Sequence, residues 1–331
     1  TKYISLVLVS LMSISVSIKV VNAGNSIKLQ ADSKHNNVQH FVYLGGDSDF
    51  LISHQEKLKK SNIQGVQLIY NWKRLETKKG VYDFSVIKQD LQNATKLNKK
   101  LFIQIQDRFF MPHAKYIPAY LLKDPEYKGG LAPQVDNPGE NMPTVSGFVA
   151  KQWVISVRQR YQELLKHLAA EFDGKIYGIN LPETAIDIDE KQEKQLSGFS
   201  CDNYFNAVLE NMQFTKSVFK KSYVVQYVNF LPCEWDNDHN YMQRIFDLAI
   251  QQNIGLGSPD NVPNKPSFMH NSYKFFNKYH NSLVLVAIAV QEPDLTYINP
   301  ITKKHFTYTE FEKFATDYLG SNIIFWNSNF L

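Results

Sequence analysis

The chain lacks several features that would identify common protein classes. Only two cysteines, Cys201 and Cys233, occur among its 331 residues, so at most one internal disulfide can form. The formal charge of +4 is spread along the sequence without a basic run, which argues against nucleic acid as a partner. No glycine-rich phosphate motif follows an apolar run, which weakens the case for a dinucleotide-binding sheet.

Long hydrophobic runs are also scarce, and the one that stands out lies at the N-terminus. Lys2 precedes an apolar stretch from Ile4 to Ile18, and small residues at 21–23 suit signal peptidase. This pattern predicts a signal peptide at 1–23, a mature chain from Gly24 and export to the periplasm or the extracellular space. The alternative is a retained membrane anchor, for which the stretch is short and is interrupted by Lys19.

The remaining sequence, 24–331, is long enough for one large domain. Apolar, strand-like runs alternate with helical patterns along its whole length, which favours a (β/α)8 TIM barrel over an open sheet. The eight predicted strands are His40–Gly45, Val66–Tyr70, Lys100–Gln106, Ile176–Asn180, Tyr223–Phe230, Ile254–Gly257, Leu283–Val290 and Ile323–Trp326.

Helical periodicity is strongest from Phe148 to Phe172, after a long proline-containing loop that follows the third strand. Other helices are predicted at 51–60, 85–97, 241–251 and 272–279, with Asp202 as the N-cap of a helix after the fourth strand. Thr309 and Glu312 have the spacing of a capping box. No eighth helix follows the last strand, so either the sequence stops short of it or residues 25–37 fill its place.

Two glutamates follow predicted strands in corresponding positions. Glu183 comes after the fourth strand and Glu292 after the seventh. The carboxyl ends of barrel strands meet on one face, where TIM-barrel enzymes hold their catalytic groups. We therefore expect the two carboxyl groups to face one pocket, although either residue could instead be a solvated loop residue.

The segment Tyr70–Glu76, followed by Gly80–Phe84, resembles the Trp-x-x-Leu-Glu and Gly-x-Tyr-x-Phe signature of clan A retaining glycoside hydrolases, above all their β-galactosidase-like members. The resemblance implies that Glu183 is the acid/base and Glu292 the nucleophile. It also implies that Trp326 is the aromatic platform under the sugar. Retaining enzymes hold two such carboxyl groups about 5–5.5 Å apart.

One position departs from that clan. An Asn usually precedes the acid/base and binds the sugar 2-hydroxyl, but here Pro182 precedes Glu183 and the nearest Asn is Asn180. Asn180 could reach the sugar from another angle, or it could fill the barrel interior.

Further polar and aromatic residues at strand ends are candidates for binding sugar hydroxyls and rings. Asp107 and Arg108 could equally form a buried ion pair, the amides could be interior polarity, and the tryptophans could belong to the core. The candidates are Asn71, Trp72, Gln106, Asp107, Arg108, Asn180, Gln226, Asn229, Trp235 and Trp326.

The predicted function is an exported glycoside hydrolase that cleaves a β-type bond in an oligosaccharide or polysaccharide with retention and without a cofactor. A non-catalytic glycan- or partner-binding barrel is the alternative, and a metal-dependent hydrolase is a weaker one. Asp236, Asp238 and His239 lie close together but match no zinc or calcium motif, so no metal is expected. With export, Cys201 and Cys233 could be bridged near one rim of the barrel, or they could be two separate buried thiols.

Overall fold

Eight parallel strands close into a barrel, which confirms the predicted fold class. The computed structural model describes residues 38–136 and 138–331, so the predicted signal peptide and residues 25–37 lie outside the described part. Around the barrel the strands follow the order β1-β8-β7-β6-β5-β4-β3-β2. They are β1 (Gln39–Tyr43), β2 (Gly65–Asn71), β3 (Lys100–Gln106), β4 (Gly178–Leu181), β5 (Tyr223–Tyr227), β6 (Gly255–Ser258), β7 (Val286–Val290) and β8 (Ile323–Asn327).

Helices connect successive strands and bury their apolar faces against the outside of the barrel. They are α1 (Phe50–Ser53), α2 (Gln55–Lys60), α3 (Ser85–Lys96), α4 (Ile155–Phe172), α5 (Cys201–Val218), α6 (Tyr241–Gln252), α7 (Lys274–Tyr279) and α8 (Tyr308–Lys313). A short α-helical turn, Pro266–Phe268, and a π-helical segment, Met269–Tyr273, lead directly into α7. A second π-helical segment, Phe314–Tyr318, extends α8.

The long loop after β3 contains a small sheet that the sequence reading missed. Three antiparallel strands, Arg108–Phe109, Leu131–Val135 and Val145–Ala150, pair beside the barrel. Because Val145–Ala150 is a strand, the predicted start of the long helix at Phe148 is wrong, and α4 begins at Ile155. Apolar residues of this sheet fitted the helical spacing, so the predicted helix began too early in the chain.

The predicted capping box is displaced by two residues. Thr307 caps α8: its Oγ1 accepts from the N–H of Glu310 at 3.2 Å, and its own N–H donates to Glu310 Oε2 at 2.7 Å. The prediction for Thr309 and Glu312 is therefore wrong, because both threonines have an acidic residue three positions later and spacing alone does not choose between them.

Aromatic rings fill the lower part of the barrel. Phe102 packs edge-to-face against Phe41 and Phe325, with ring centroids 6.3 and 5.2 Å apart. Gly178 lies against Phe102, and a Cβ there would come within 2.3 Å of its ring. Closer to the C-terminal face, Gln67 Nε2 donates to Asn180 Oδ1 at 3.2 Å. Asn180 is therefore barrel interior, the second of the two readings its position allowed.

The motif that carried the family resemblance forms a buried network beside β2. Glu76 is fully buried and accepts from Trp72 Nε1 at 2.9 Å, Gly80 N at 2.9 Å, Tyr120 OH at 3.0 Å and Arg160 Nη2 at 2.6 Å. Arg160 belongs to α4, so this carboxylate ties the loop after β2 to an outer helix. The motif therefore has a structural role, which is to hold the loop after β2 against α4.

We predict that Glu76→Ala lowers the free energy of unfolding by about 3–5 kcal/mol, because it leaves Arg160 partly buried without its anion. Urea unfolding would measure this change. Glu171→Ala, which breaks only the exposed ion pairs with Lys88 and Lys175, is the matched control and should stay within about 0.5 kcal/mol of the wild type. Equal effects for the two variants would contradict the assigned role of Glu76.

Candidate active site

Polar groups gather where β4, β5 and β6 end on the C-terminal face of the barrel. Glu183 follows β4, Asn229 follows β5 and Asp260 follows β6. Asn229 Nδ2 donates to Glu183 Oε2, and the charge of Asp260 acts on the same Glu183 carboxyl group. The buried Asn229 amide thus joins the loop after β5 to the carboxyl group after β4.

The orientation of the Asn229 amide is fixed by the backbone. Its Oδ1 accepts from the N–H groups of Ala185 at 3.0 Å and Phe230 at 2.9 Å. Because Oδ1 is occupied by these donors, Nδ2 must face the Glu183 carboxyl group. The sequence pattern made Asn229 a candidate for binding a sugar hydroxyl, and in the structure its amide binds Glu183.

The backbone around Glu183 is held from below. The guanidinium of Arg108 donates to the Glu183 carbonyl, and its Nε pairs with Asp107 Oδ1 at 2.9 Å. Gln226 Nε2 donates to the Pro182 carbonyl at 2.5 Å. Asp107 and Arg108 are both buried, so they form the ion pair that was the alternative interpretation.

Burial is the largest influence on Glu183 and raises its pKa to about 7. The charge of Asp260 raises the pKa further, whereas the hydrogen bond from Asn229 and the charge of Arg108 lower it. The side chain remains partly accessible at the barrel mouth. A carboxyl group that keeps its proton near neutral pH and can reach a ligand is suited to general acid chemistry.

Two further acids at this face were missed from the sequence. Burial raises the pKa of Asp260 to about 6, against the lowering effects of Lys265 and Asn229. Burial also raises the pKa of Asp294 to about 7, and the charge of Asp260 adds to this. Each of these two acids lies within four residues of a strand end, and this position is the sequence signal that could have identified them. After β7, the pattern favoured Glu292 over Asp294.

Glu292 lies on the exposed side of the loop after β7, next to the 3-10 turn Pro293–Thr296. Its backbone carbonyl accepts from Leu295 N at 3.1 Å. Within residues 38–136 and 138–331, its carboxyl group has no hydrogen bond or ion pair. The structure therefore groups Glu183 with Asp260 and Asn229. Glu292, which follows β7, is exposed to solvent.

The predicted aromatic platforms are not all available. Trp72 and Trp326 are fully buried, and Trp326 stacks on Phe330 with centroids 4.6 Å apart. A ring with no exposed face cannot stack on a sugar, so these two expectations are corrected. Trp235, in the loop after β5, is 52% exposed and keeps its candidacy.

The other predicted contacts have local partners. Asn71 accepts from the Arg74 N–H at 3.0 Å as the N-cap of the turn Trp72–Leu75. Gln106 Nε2 donates to the Arg108 carbonyl at 2.7 Å. Gln226 is buried and supports Pro182, so it acts on the loop that carries Glu183.

A cavity of about 20 Å³ lies behind Glu183, between β4 and helices α4 and α5. This is room for about one water molecule, so the cavity is too small for a sugar. It is lined by Asp107, Arg108, Gln152, Tyr161, Leu181, Pro182, Glu183, Val208, Asn211 and Gln226.

Cys201 and Cys233 form a disulfide, as one of the two sequence interpretations held. Cys201 opens α5, whose N-cap is Ser200 and not the predicted Asp202, because Ser200 Oγ accepts from Asn203 N at 3.1 Å. Cys233 lies two residues before Trp235. The bridge therefore anchors the β5 loop to the barrel rim.

Removal of this disulfide by the double change Cys201→Ser and Cys233→Ser should lower the free energy of unfolding by about 3–4 kcal/mol, since 32 residues separate the bridged cysteines. Thermal and urea unfolding with and without reductant would measure it. Reductant should then leave the double variant unchanged. If a thiol assay shows that the wild type is fully reduced and its free energy of unfolding is nevertheless unchanged, the prediction is contradicted.

We also predict that Glu183→Gln stabilises the fold at high pH. An unfolded glutamate ionises near 4.5 and Glu183 near 7, so the folded state loses stability as pH rises through this interval. The amide removes that loss, by on the order of 1–3 kcal/mol at pH 8 and by little at pH 4. Urea unfolding from pH 4 to 8 measures the difference, with the partly exposed Glu163→Gln on the outer surface of α4 as the control. A difference that does not grow with pH would contradict the assignment.

In the part of the chain from 38 onward that the structure describes, no helix has the length and apolar character needed to cross a membrane. No protein-family model matches the sequence. No curated protein sequence matches it either.

Solved structures do share the fold. The catalytic domain of a β-amylase from Paenibacillus polymyxa superposes with a TM-score of 0.58 at 10% identity, covering 87% of this chain and 91% of that one. A xylanase mutant from Cellvibrio japonicus gives 0.52 at 10% identity, over 88% and 87% of the two chains. A β-galactosidase from Rahnella sp. R3 gives 0.54 at 13% identity, over 89% of this chain and 51% of that one. These similarities establish the fold.

Proposed function

We propose that this protein is a glycoside hydrolase that cleaves a β-type O-glycosidic bond, with Glu183 as the proton donor. The observation that carries the proposal is the Glu183 carboxyl itself, which lies at the end of the fourth barrel strand with a pKa raised to about 7 by burial. Asn229 holds it in place. The fold shared with a β-amylase, a xylanase and a β-galactosidase supports glycoside hydrolysis in general.

In the proposed reaction, Glu292 is the nucleophile and the configuration is retained. Its carboxylate attacks the anomeric carbon while Glu183 gives its proton to the departing glycosidic oxygen. Glu183 then takes a proton from water, which attacks the glycosyl ester and releases Glu292. The position of Glu292 after β7 and its exposure to solvent support this role, because a nucleophile must meet the substrate.

An oligosaccharide or polysaccharide is the proposed substrate. Trp235 is the exposed aromatic side chain best placed to stack on a sugar ring, since it follows β5 and Asn229 on the same loop. The disulfide between Cys201 and Cys233 supports action in an oxidising compartment outside the cytosol, in line with the predicted signal peptide.

A non-catalytic glycan-binding barrel is the second candidate. It is favoured by the position of Asn180, the Asn nearest to Pro182. Asn180 is fully buried and pairs with Gln67. It is therefore not placed to bind a sugar 2-hydroxyl at the mouth. A site without that contact could bind a glycan and leave it intact.

The test is hydrolysis of a panel of aryl β-glycosides and β-linked polysaccharides by the wild type, Glu183→Ala and Glu292→Ala. We expect Glu183→Ala to lose about 10²–10⁴-fold in kcat on substrates with poor leaving groups and much less on activated aryl glycosides, which need no protonation. Glu292→Ala should lose activity on both, and azide should restore it with formation of an inverted glycosyl azide.

Glu163→Ala, which removes a carboxyl group from the outer surface of α4, is the matched control and should leave activity unchanged. A folded wild type that cleaves nothing on the panel but gains thermal stability with a glycan would support the binding barrel. Cleavage that survives in Glu183→Ala regardless of leaving group would remove Glu183 from the mechanism.

A further inference from the structure

A carboxylate lies against the disulfide at the rim of the barrel. Glu190 Oε1 is 3.4 Å from Cys233 Sγ and 3.8 Å from Cys201 Sγ. The oxygen and the two sulfurs all lie within 4.8 Å of one another. Glu190 belongs to the loop after β4, whereas Cys201 opens α5 and Cys233 follows β5. Three separate segments therefore bring one metal-binding type of side chain each to the same point.

The bridged state gives this carboxylate no hydrogen bond from the sulfurs. A disulfide has no S–H group, and an ionised carboxylate only accepts hydrogen bonds. Within residues 38–136 and 138–331, no lysine, arginine or histidine forms an ion pair with Glu190. A cation bound among the three groups would neutralise the carboxylate and explain why it lies there.

The separations match tetrahedral zinc coordination. Zn–S bonds of about 2.3 Å and Zn–O bonds of about 2.0–2.2 Å, at the tetrahedral angle, place a sulfur and an oxygen ligand about 3.5–3.7 Å apart. The S···O distances of 3.4 and 3.8 Å lie on either side of this range. Two thiolate ligands of one zinc ion stand about 3.8 Å apart, so zinc and the S–S bond exclude each other.

The type of ligand also favours zinc. Thiolates bind zinc well, whereas calcium and magnesium take oxygen ligands. Glu190 and Cys233 are exposed and Cys201 is half-buried, so an ion can enter from solvent. A site with three protein ligands leaves the fourth position of the tetrahedron to water.

We propose that Glu190, Cys201 and Cys233 form a zinc-binding site when their disulfide is reduced. A dithiol reductant supplies two electrons and two protons: the S–S bond breaks, two thiols form, and the reductant becomes a disulfide. Zn²⁺ then displaces both thiol protons and binds the two thiolates and the Glu190 carboxylate. Reoxidation joins the sulfurs again and releases the metal. The inference is independent of the proposed function.

Zinc would tie down a segment that the disulfide leaves unbound. The disulfide joins only the start of α5 to the loop after β5. Glu190 adds the loop after β4, which also carries Glu183 seven residues earlier. Because zinc binds the folded state, it should restore stability to the reduced protein by mass action.

The test measures metal binding by the full chain in its bridged and reduced forms. A phosphine reductant converts the disulfide to two thiols, taking up oxygen from water, and is then removed under anaerobic conditions. Co²⁺ serves as the spectroscopic probe for zinc, because thiolate ligands give a sulfur-to-cobalt charge-transfer band. We expect one Co²⁺ per reduced chain with this band, displaced by one Zn²⁺, and no such band in the bridged form.

Glu190→Gln tests the carboxylate while keeping both thiols. Loss of a partner that only supports a ligand already weakens metal sites by about 10–100-fold, so loss of the direct ligand should weaken zinc binding at least about tenfold. Glu163→Gln, on the outer surface of α4, is the matched control and should bind zinc like the wild type. The double change Cys201→Ser and Cys233→Ser should abolish the charge-transfer band.

Thermal unfolding provides a second measurement that does not require the reduced, metal-free chain to fold. Added Zn²⁺ should raise the unfolding midpoint of the reduced wild type, or refold it if it has unfolded, and should do neither for the double serine variant. A reduced wild type without the charge-transfer band would overturn the proposal. Equal zinc affinity in Glu190→Gln and the wild type would also overturn it.

Discussion

The proton on Glu183 is the feature on which the rest of the site depends. Burial at the mouth of the barrel raises the pKa of this carboxyl into the neutral range, and the neighbouring Asp260 works in the same direction. Asn229 holds the group in position while Arg108 and Gln226 secure the backbone that carries it.

The outer parts of the fold serve this placement. The Glu76 network fixes the loop after β2 to α4, and α4 in turn packs beside the Asp107–Arg108 pair under Glu183. The disulfide fastens the loop of β5 to α5, near Asn229 and Trp235. The π-helical segment brings Tyr273 to the Asp260 loop. Each of these contacts lies between a helical segment and the C-terminal end of a strand.

Much of the architecture could be predicted from the sequence because it depends on local patterns. Apolar runs such as Val286–Val290 and the periodicity of α4 identify strands and helices, and their alternation identifies the barrel. Position after β4 was enough to single out Glu183. The motif from Trp72 to Glu76 carried the family resemblance, and its Trp72, Leu75 and Glu76 are buried and structural.

The rest depends on contacts between distant segments, which pattern does not contain. Nothing near Glu183 in the sequence shows that Asn229 will donate to it, and nothing near Asp260 shows that Tyr273 will reach its carbonyl. Trp326 lies at a strand end, yet Phe330 covers its ring. Part of the small sheet beyond β3 was missed for a similar reason, since Arg108 pairs with Val149 across a long intervening segment.

A crystal structure with a bound β-linked oligosaccharide tests the central claim most directly, through the distance from the Glu183 carboxyl to the glycosidic oxygen. The account predicts hydrogen-bond contact, with the Glu292 carboxyl about 5–5.5 Å from that of Glu183 across the sugar. A glycan bound at this face with its glycosidic oxygen out of reach of Glu183 would contradict it.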